Sequence, residues 1–421
     1  MRQTFLLLGL TVLSALVCHA QQEDTRQRII SPEFHTLKVE NPDNFLSAPV
    51  ITLGGDDRIT VSFDEFTTDR SYLCYSLYHC NADWKPSQLL DSEYVSGFNK
   101  ADVEDFGYSR TTFQQYVNYR ITIPSEGMQP LASGNYLLKV YPEDDPEETL
   151  LQARFSVNEG IVAVDAEASI HTDRGSDGTV QQLDIALDTR TLQGIDPFSE
   201  LIIAVEQNGV PQSRVLTSTP LRVEPSRIVY SHNTDLIFPS GNEWRRFETV
   251  RADYPGLHTD STRYRGDRYQ AYLTPDEGRA DKPYTYDRTQ FGRFKIREYN
   301  STDSDLGADY VDTHFTLDFP QVMNADIYLD GEFTGHLALP EYQMRYDADS
   351  HLYRATVPLK QGSYNYRYVA VPRDCKGDPE PSLIEGNKAE TINEYRIQVF
   401  VRKHGSRADR LVADTIITTS L

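Results

Sequence analysis

Cysteine is scarce in this chain, with four residues among 421. Tryptophan occurs twice and methionine four times. Basic residues are also under-represented: 41 Lys and Arg stand against 63 Asp and Glu, a formal net charge of −22. That balance argues against nucleic acid as a partner, because phosphate recognition needs a basic surface. No apolar run after residue 20 is long enough to cross a bilayer, so no direct membrane insertion is expected. The chain lacks a long amphipathic helical pattern, and it carries no G-x-S-x-G, phosphate loop or H-E-x-x-H signature. Carboxylates are plentiful, but no spacing singles out two of them as an acid and a base. No catalytic residue, cofactor or metal site is expected.

The first twenty residues differ from the rest. "MRQTFLLLGLTVLSALVCHAQQ" has a charged start, an apolar run over 5–17, and small residues at the −3 and −1 positions of a cleavage point after Ala20. This pattern predicts a secretory signal peptide over 1–20 and a mature chain from Gln21. Ala15-Leu16-Val17 lacks the order expected before a lipidated cysteine at Cys18. Export leaves Cys74, Cys80 and Cys375, an odd count, so disulfides are not expected to hold the fold together. The chain is long enough for about two to four units with cores of their own.

Most of the remainder reads as strands. "DRITVSFDEF", "YLCYSLYHC", "YVNYRITIP", "GNYLLKVYP" and "LLQARFSV" are short, rich in β-branched and aromatic residues, and bounded by turn formers. The texture returns through 161–230 and again from 310 to 402. The fold class is therefore all-β, with several immunoglobulin-like β-sandwich domains in tandem. The segment 86–107 reads as a helical or irregular excursion. "VNEGIVAVDAE" (157–167) reads as a short hinge and "YNSTDSDLGADY" (299–310) as a polar linker. These breaks give units over 21–158, 159–303 and 304–421. Between about 240 and 298 the chain is crowded with Arg, Tyr and Asp, as in "TDSTRYRGDRY". Interleaved charges of both signs favour solvated strands and loops over a patch of one sign.

One stretch concentrates chemically capable residues: "LYHCNADWKPS" (77–87), with His79, Cys80, Asp83, Trp84, Pro86 and Ser87. If 72–80 is a strand, His79 and Cys80 point to opposite faces. They then cannot converge on one ion or one proton. Cys74 and Cys80 share a face but lie about 20 Å apart at ~3.3 Å per residue, too far to bridge. A zinc site needs three or four converging ligands, and no second Cys/His pair occurs. The six residues are expected to form a structural motif, a strand end turning through Asn81-Ala82-Asp83 with Trp84 packing back into the first unit's core. "DSDLGADYVDTH" (303–314) fails as a calcium loop, since Ala308 stands where glycine is needed and His314 where glutamate is. Tyr364, Tyr366 and Tyr368 alternate on one strand face. A core-facing aromatic row outweighs a sugar-stacking platform there.

An ordered series of segments resembles a family of exported Bacteroidota proteins, the plug proteins of the type IX secretion system. The series runs "NPDNFLSAPVITLGGDDRITVSFDEF", "YLCYSLYHCNADWKPSQLLDSEYVSGF", "YSRTTFQQYVNYRITIP", "SGNYLLKVYPED", "FPSGNEWRRFE", "GADYVDTHFTL", "IEGNKAETINEYRIQVFVR" and "RADRLVA". It covers about residues 30–415. The resemblance implies a periplasmic β-rich protein, associated with the outer membrane through its partner, the translocon β-barrel, whose periplasmic mouth it caps. It supplies no catalytic residues. An alternative comes from "YLDGEFTGHLAL" and "LYRATVPLKQGSYNYRYVAV", which resemble early-set immunoglobulin-like modules that include carbohydrate-binding domains. That would make the chain an exported glycan-binding accessory protein. Trp84 and Trp244 both lie outside that segment, which weighs against it.

Overall fold

The computed structural model describes residues 24–175, 178–192, 194–374 and 378–419. The expected signal peptide over 1–20, with Cys18, and Cys375 lie outside the described residues.

Strands form where alternation places them. Ile59–Glu65 buries Ile59, Val61 and Phe63 while Thr60 and Ser62 are only partly covered, giving one apolar face. Leu73–Cys80, Val117–Ile123, Gly134–Pro142 and Leu151–Asn158 follow. The 86–107 excursion holds a one-turn helix, Asp91–Tyr94, and two short strands. These elements make a six-stranded sheet that contains Leu73–Cys80 and a four-stranded sheet that contains Ile59–Glu65. Leu73, Tyr75, Leu77, Phe63, Tyr119 and Phe155 share the core between them. The fold is all-β with several packed sheets.

A second core lies between a five-stranded sheet built on Val180–Asp188 and a four-stranded sheet ordered Val215–Thr217, Leu201–Gln207, Glu394–Val401, Arg410–Thr418. Leu183, Ile185, Ile203, Tyr395 and Val399 fill it. A third core sits on a ten-stranded sheet that starts at Arg245–Glu248, passes through Gly362–Pro372 and Tyr310–Asp318, and ends at Thr259–Arg265. Phe247, Phe315, Ile327, Tyr364 and Tyr366 fill that one.

This pairing corrects the expected division at 303/304. Arg245–Glu248 and Phe294–Ile296, placed with the middle unit, pair with Gly362–Pro372 in the last. Glu394–Val401, placed with the last unit, pairs with Leu201–Gln207 in the middle. The third core is thus inserted into the second. Apolar alternation marks a strand but not its partner, so the sequence order of strands concealed the return of the chain.

The expected hinge and linker are also corrected. Within 157–167, the Glu159 and Ile161 amides each donate at 3.0 Å to the Leu411 and Val412 carbonyls, and the Ser133 hydroxyl donates to Glu159 Oε1 at 2.6 Å. The segment is pinned from both sides. Within 299–310, Leu306 is buried and its side chain sits against Gly107, where an added Cβ would come within 2.8 Å. Tyr116 donates to the Ala308 carbonyl at 2.7 Å. Polar residues read as solvated loop are here hydrogen-bond partners in a seam between the first and third cores.

That seam is built on charge. Lys360 and Asp64 have side-chain exposures of 1% and 0% and meet at 2.6 Å. Tyr310 donates to the same carboxylate at 2.6 Å and Asn118 at 2.8 Å. The Lys360 ammonium also reaches the Asp305 carbonyl at 2.7 Å and lies over the Tyr116 ring. A buried pair survives desolvation only when each charge is well supplied with partners, and both are. Nearby, buried Lys38 donates to the Phe294 carbonyl and lies 3.5 Å from Glu40 and 3.6 Å from Glu332.

Lys360→Met leaves the Asp64 charge buried without its cation. It is expected to destabilise the protein by about 3–5 kcal/mol in urea denaturation, and Asp64→Leu in the same chain to recover part of the loss. His35 lies on the seam too, stacked on Phe66 at 3.7 Å. Burial, with the Arg268 charge adding to it and Glu33 opposing, holds its imidazole down to about 4. A histidine kept neutral in the fold contributes stability above its unfolded value of about 6.5. That contribution is lost as pH falls from about 6.5 toward 4. The melting temperature is expected to drop across that window, and His35→Phe to flatten the drop.

Candidate functional site

The 77–87 segment places its six singled-out residues in one tight reversal. The Asn81 amide donates to the Lys85 carbonyl at 2.8 Å and the Trp84 amide to the Asn81 carbonyl at 2.9 Å. Asp83 accepts from the Lys85 amide at 3.1 Å and pairs with its ammonium at 2.8 Å. Pro86 bridges back to Cys80, and the Ser87 amide donates to the His79 carbonyl at 2.8 Å. Trp84 adopts φ 62°, a left-handed conformation rare for a large side chain. Such a turn projects its corner outward from the sheet.

His79 and Cys80 diverge. His79 Nε2 lies 3.0 Å from the Ser133 carbonyl, and burial lowers its pKa. Gly134, at φ 145°, leaves it room: a Cβ there would lie 2.3 Å from Nε2. Cys80 turns the other way, against Trp84 and Leu137. Cys74 and Cys80 are both buried, and the Cys74 thiol is pushed up to about 11 by burial and by Asp102. Among the described residues, no three His, Cys, Asp or Glu side chains are grouped to hold a metal ion.

Trp84 is 7% exposed, but it does not join the first unit's core as expected. It packs on the outer face of the six-stranded sheet with the Arg154 guanidinium 4.2 Å above its ring. The reason is the turn geometry. A strand end buried on both faces sends its corner toward the second unit. There Ala82 packs with Ala204, Phe400 and Leu411. Its amide donates to Asp409 at 2.9 Å, and its carbonyl accepts from Arg214 at 3.0 Å. The motif is the contact that seats the second unit on the first.

Beside Trp84 lies a cavity of about 130 Å³, where all three units meet. Its lining includes Arg154, Glu206, Arg293, Glu394 and Arg396. Arg293 pairs with Glu394 across the lining, while Arg396 pairs with Asp414 and Glu206 with Arg214 behind it, so most of the lining charges are committed. Burial, opposed by Glu206, lowers Arg154 to about 10.

The third core holds a second buried charge cluster that no local motif announces. Arg245 contacts Asp276 at 2.5 Å and Glu385 at 3.0 Å, and Arg279 contacts Glu385 at 2.6 Å. Tyr366 and Tyr368 each donate to Asp276 at 2.7 Å. Burial opposes ionisation of Asp276, yet His258 and Arg245 hold its carboxyl down to about 2. Tyr364, Tyr366 and Tyr368 are all buried, so they form the aromatic core row and offer no face to a sugar. Arg245, Asp276 and Glu385 are far apart in sequence, and only the Arg-rich texture of 240–298 hinted at them.

These features define an all-β protein whose buried ionic and turn contacts join several sheet-built units. The family described as type 9 secretion system plug protein, 1st domain, matches residues 34–159. That range coincides with the strands from Phe34 to Asn158. A hypothetical protein from Parabacteroides merdae ATCC 43184, known from a crystal structure, is 35% identical. The match covers 94% of this chain and 100% of that one at a TM-score of 0.91. A putative membrane anchored protein from Corynebacterium diphtheriae is 8% identical over 91% of each chain, but its TM-score of 0.14 carries no structural argument. No curated protein matches. The chain belongs to the type 9 secretion system plug family.

Trp84→Ala is expected to cost about 3–5 kcal/mol, the range for deleting a buried large aromatic. It should also open the junction. Limited proteolysis should then cut between residues 81 and 87 at protease levels that leave the wild type intact.

Proposed function

We propose that this protein is a non-enzymatic periplasmic plug that occludes the periplasmic mouth of the type 9 outer-membrane translocon barrel. The observation that carries the reading is the way the units are fastened. Asp64–Lys360 locks the first core to the third, and the Asn81–Trp84 turn locks it to the second. The second and third units are tied by the inserted topology and by Arg293–Glu394. A stopper must hold its shape against a large opening, and a body fastened at each junction does so. The buried charges are held by one another at these junctions, which favours a binding role over chemistry. The signal-peptide pattern supports export, and no described helix is long and apolar enough to cross a membrane. The glycan-binding alternative loses its natural platforms, since Trp84, Trp244 and the 364–368 tyrosines are buried.

Deleting the gene in a strain whose translocon lacks its lateral-gate partner tests the reading. Entry of small dyes across the outer membrane should rise, and re-expression should restore the barrier. Unchanged permeability would overturn the plug reading.

A further inference from the structure

The Arg- and Tyr-rich stretch is not consumed by the junctions. Thr259–Arg265 and Arg268–Leu273 form a hairpin, turned at Gly266 with φ 70°, in which Tyr264 faces Tyr269 and Arg265 faces Arg268. Thr259–Arg265 is the last strand of the ten-stranded sheet. Among the described residues, it pairs with Arg268–Leu273 alone. Asp260, Arg263, Tyr264 and Arg265 along it are exposed. An edge of this length is a template for strand addition.

The edge is presented rigidly. Arg268 binds Asp312 at 3.0 Å and Gln114 of the first unit at 2.7 Å. Phe113, from the same first-unit loop, is held by its amide on Asp309 at 2.7 Å. Its ring lies 4.9 Å from Tyr264 and 5.8 Å from Tyr269. Phe113 and Tyr264 are 52% and 50% exposed, although each is a large apolar ring. The aromatic cluster exists only where two units meet. A groove of about 520 Å³ adjoins it, lined by Arg110, Phe113 and Tyr269 and by four carboxylates. Of these, Asp253 is paired with Arg251, Asp303 with Arg120, and Asp309 is held by the Phe113 and Gln114 amides, with Glu298 as the fourth.

Charge selects the occupant. Along the edge strand the exposed Arg263 and Arg265 stand against Asp260, a positive balance in a chain of net charge −22. A basic strand would bring like charges against Arg263 and Arg265, which disfavours pairing. An acidic strand would meet complementary ones.

We propose that the Thr259–Arg265 edge, with the Phe113–Tyr264–Tyr269 cluster beside it, is the docking surface on which an acidic, extended segment of a partner polypeptide adds as a further strand. Main-chain hydrogen bonds supply the affinity, the rings anchor alternate side chains, and the arginines fix orientation. This rests on the plug reading in one respect, that the partner segment belongs to the translocon barrel.

The test uses the full mature chain bearing a photo-crosslinking residue at position 263, with position 198 as a remote exposed control. Detergent-solubilised outer membranes are passed over it, and the captured barrel is identified by mass spectrometry. The expected result is a barrel crosslink from 263 and none from 198. The pairs R263E/R265E and F113A/Y264A, if they melt as the wild type does, should each weaken capture by about tenfold or more. Should either pair misfold, the crosslink in the otherwise wild-type chain decides. Barrel capture that is unchanged in both pairs, or a crosslink from 198 but not 263, overturns the docking surface and leaves the plug reading standing. A 263 crosslink to a second copy of the chain, or loss in the variants of binding to anionic lipid vesicles with barrel capture intact, also overturns it. Absence of the barrel from the wild-type eluate overturns both readings.

Discussion

The structure depends on one buried contact, the Lys360 ammonium against the Asp64 carboxylate. Neither charge can reach water, so neither can leave without the other. Asp64 belongs to Ile59–Glu65 in the first unit and Lys360 to Leu352–Lys360 in the third. A hinge between those units would have to expose both charges at once. The pair is also held by Tyr310, Asn118 and the Asp305 carbonyl, so its geometry is specified from several sides. Apolar contact alone would tolerate sliding between the units. A directional ionic network tolerates very little, which is the better-attested use of buried charge.

The other junctions inherit this constraint. With the first and third units fixed, the second is bounded on both sides: the Asn81–Trp84 turn fills the space toward the first, and Arg293–Glu394 spans toward the third. The chain reinforces the arrangement. It leaves the second unit's five-stranded sheet after Ile237–Pro239, builds the third unit, and returns at Glu394–Val401 to pair with Leu201–Gln207 in the second unit's four-stranded sheet. Two chain crossings join those units, so separating them means disrupting strand order as well as side-chain contacts. The cavity of about 130 Å³ beside Trp84 lies where these junctions meet.

The strands were legible because their signal is local. Ile59, Val61 and Phe63 alternate with polar residues, and that pattern survives without knowledge of what they touch. The divergence of His79 and Cys80 was legible for the same reason, since the period of a strand is fixed by its backbone. What escaped was everything set by distant partners. Asp303–Asp309 read as a solvated linker because its carboxylates are polar, yet Asp309 accepts from the Phe113 and Gln114 amides. Trp84 read as a core residue because it is large and apolar, yet its left-handed backbone turns it away from that core and onto Arg154. The cluster of Arg245, Asp276 and Glu385 had no signature beyond the Arg-rich texture of 240–298.

The same committed charges shape the surface. Lys360, Lys38, Arg245, Arg293 and Arg396 are paired within the protein, so basic residues are drawn inward. Their partners are drawn inward with them, which leaves the excess of acidic over basic residues to be displayed outside. A body of this kind repels acidic partners over most of its approach directions. The exposed Arg263 and Arg265 then stand out as a local exception beside the rings of Phe113 and Tyr264. Long-range repulsion elsewhere and short-range attraction there would orient an acidic partner before contact, and the rigid junctions would keep that orientation once the partner is seated.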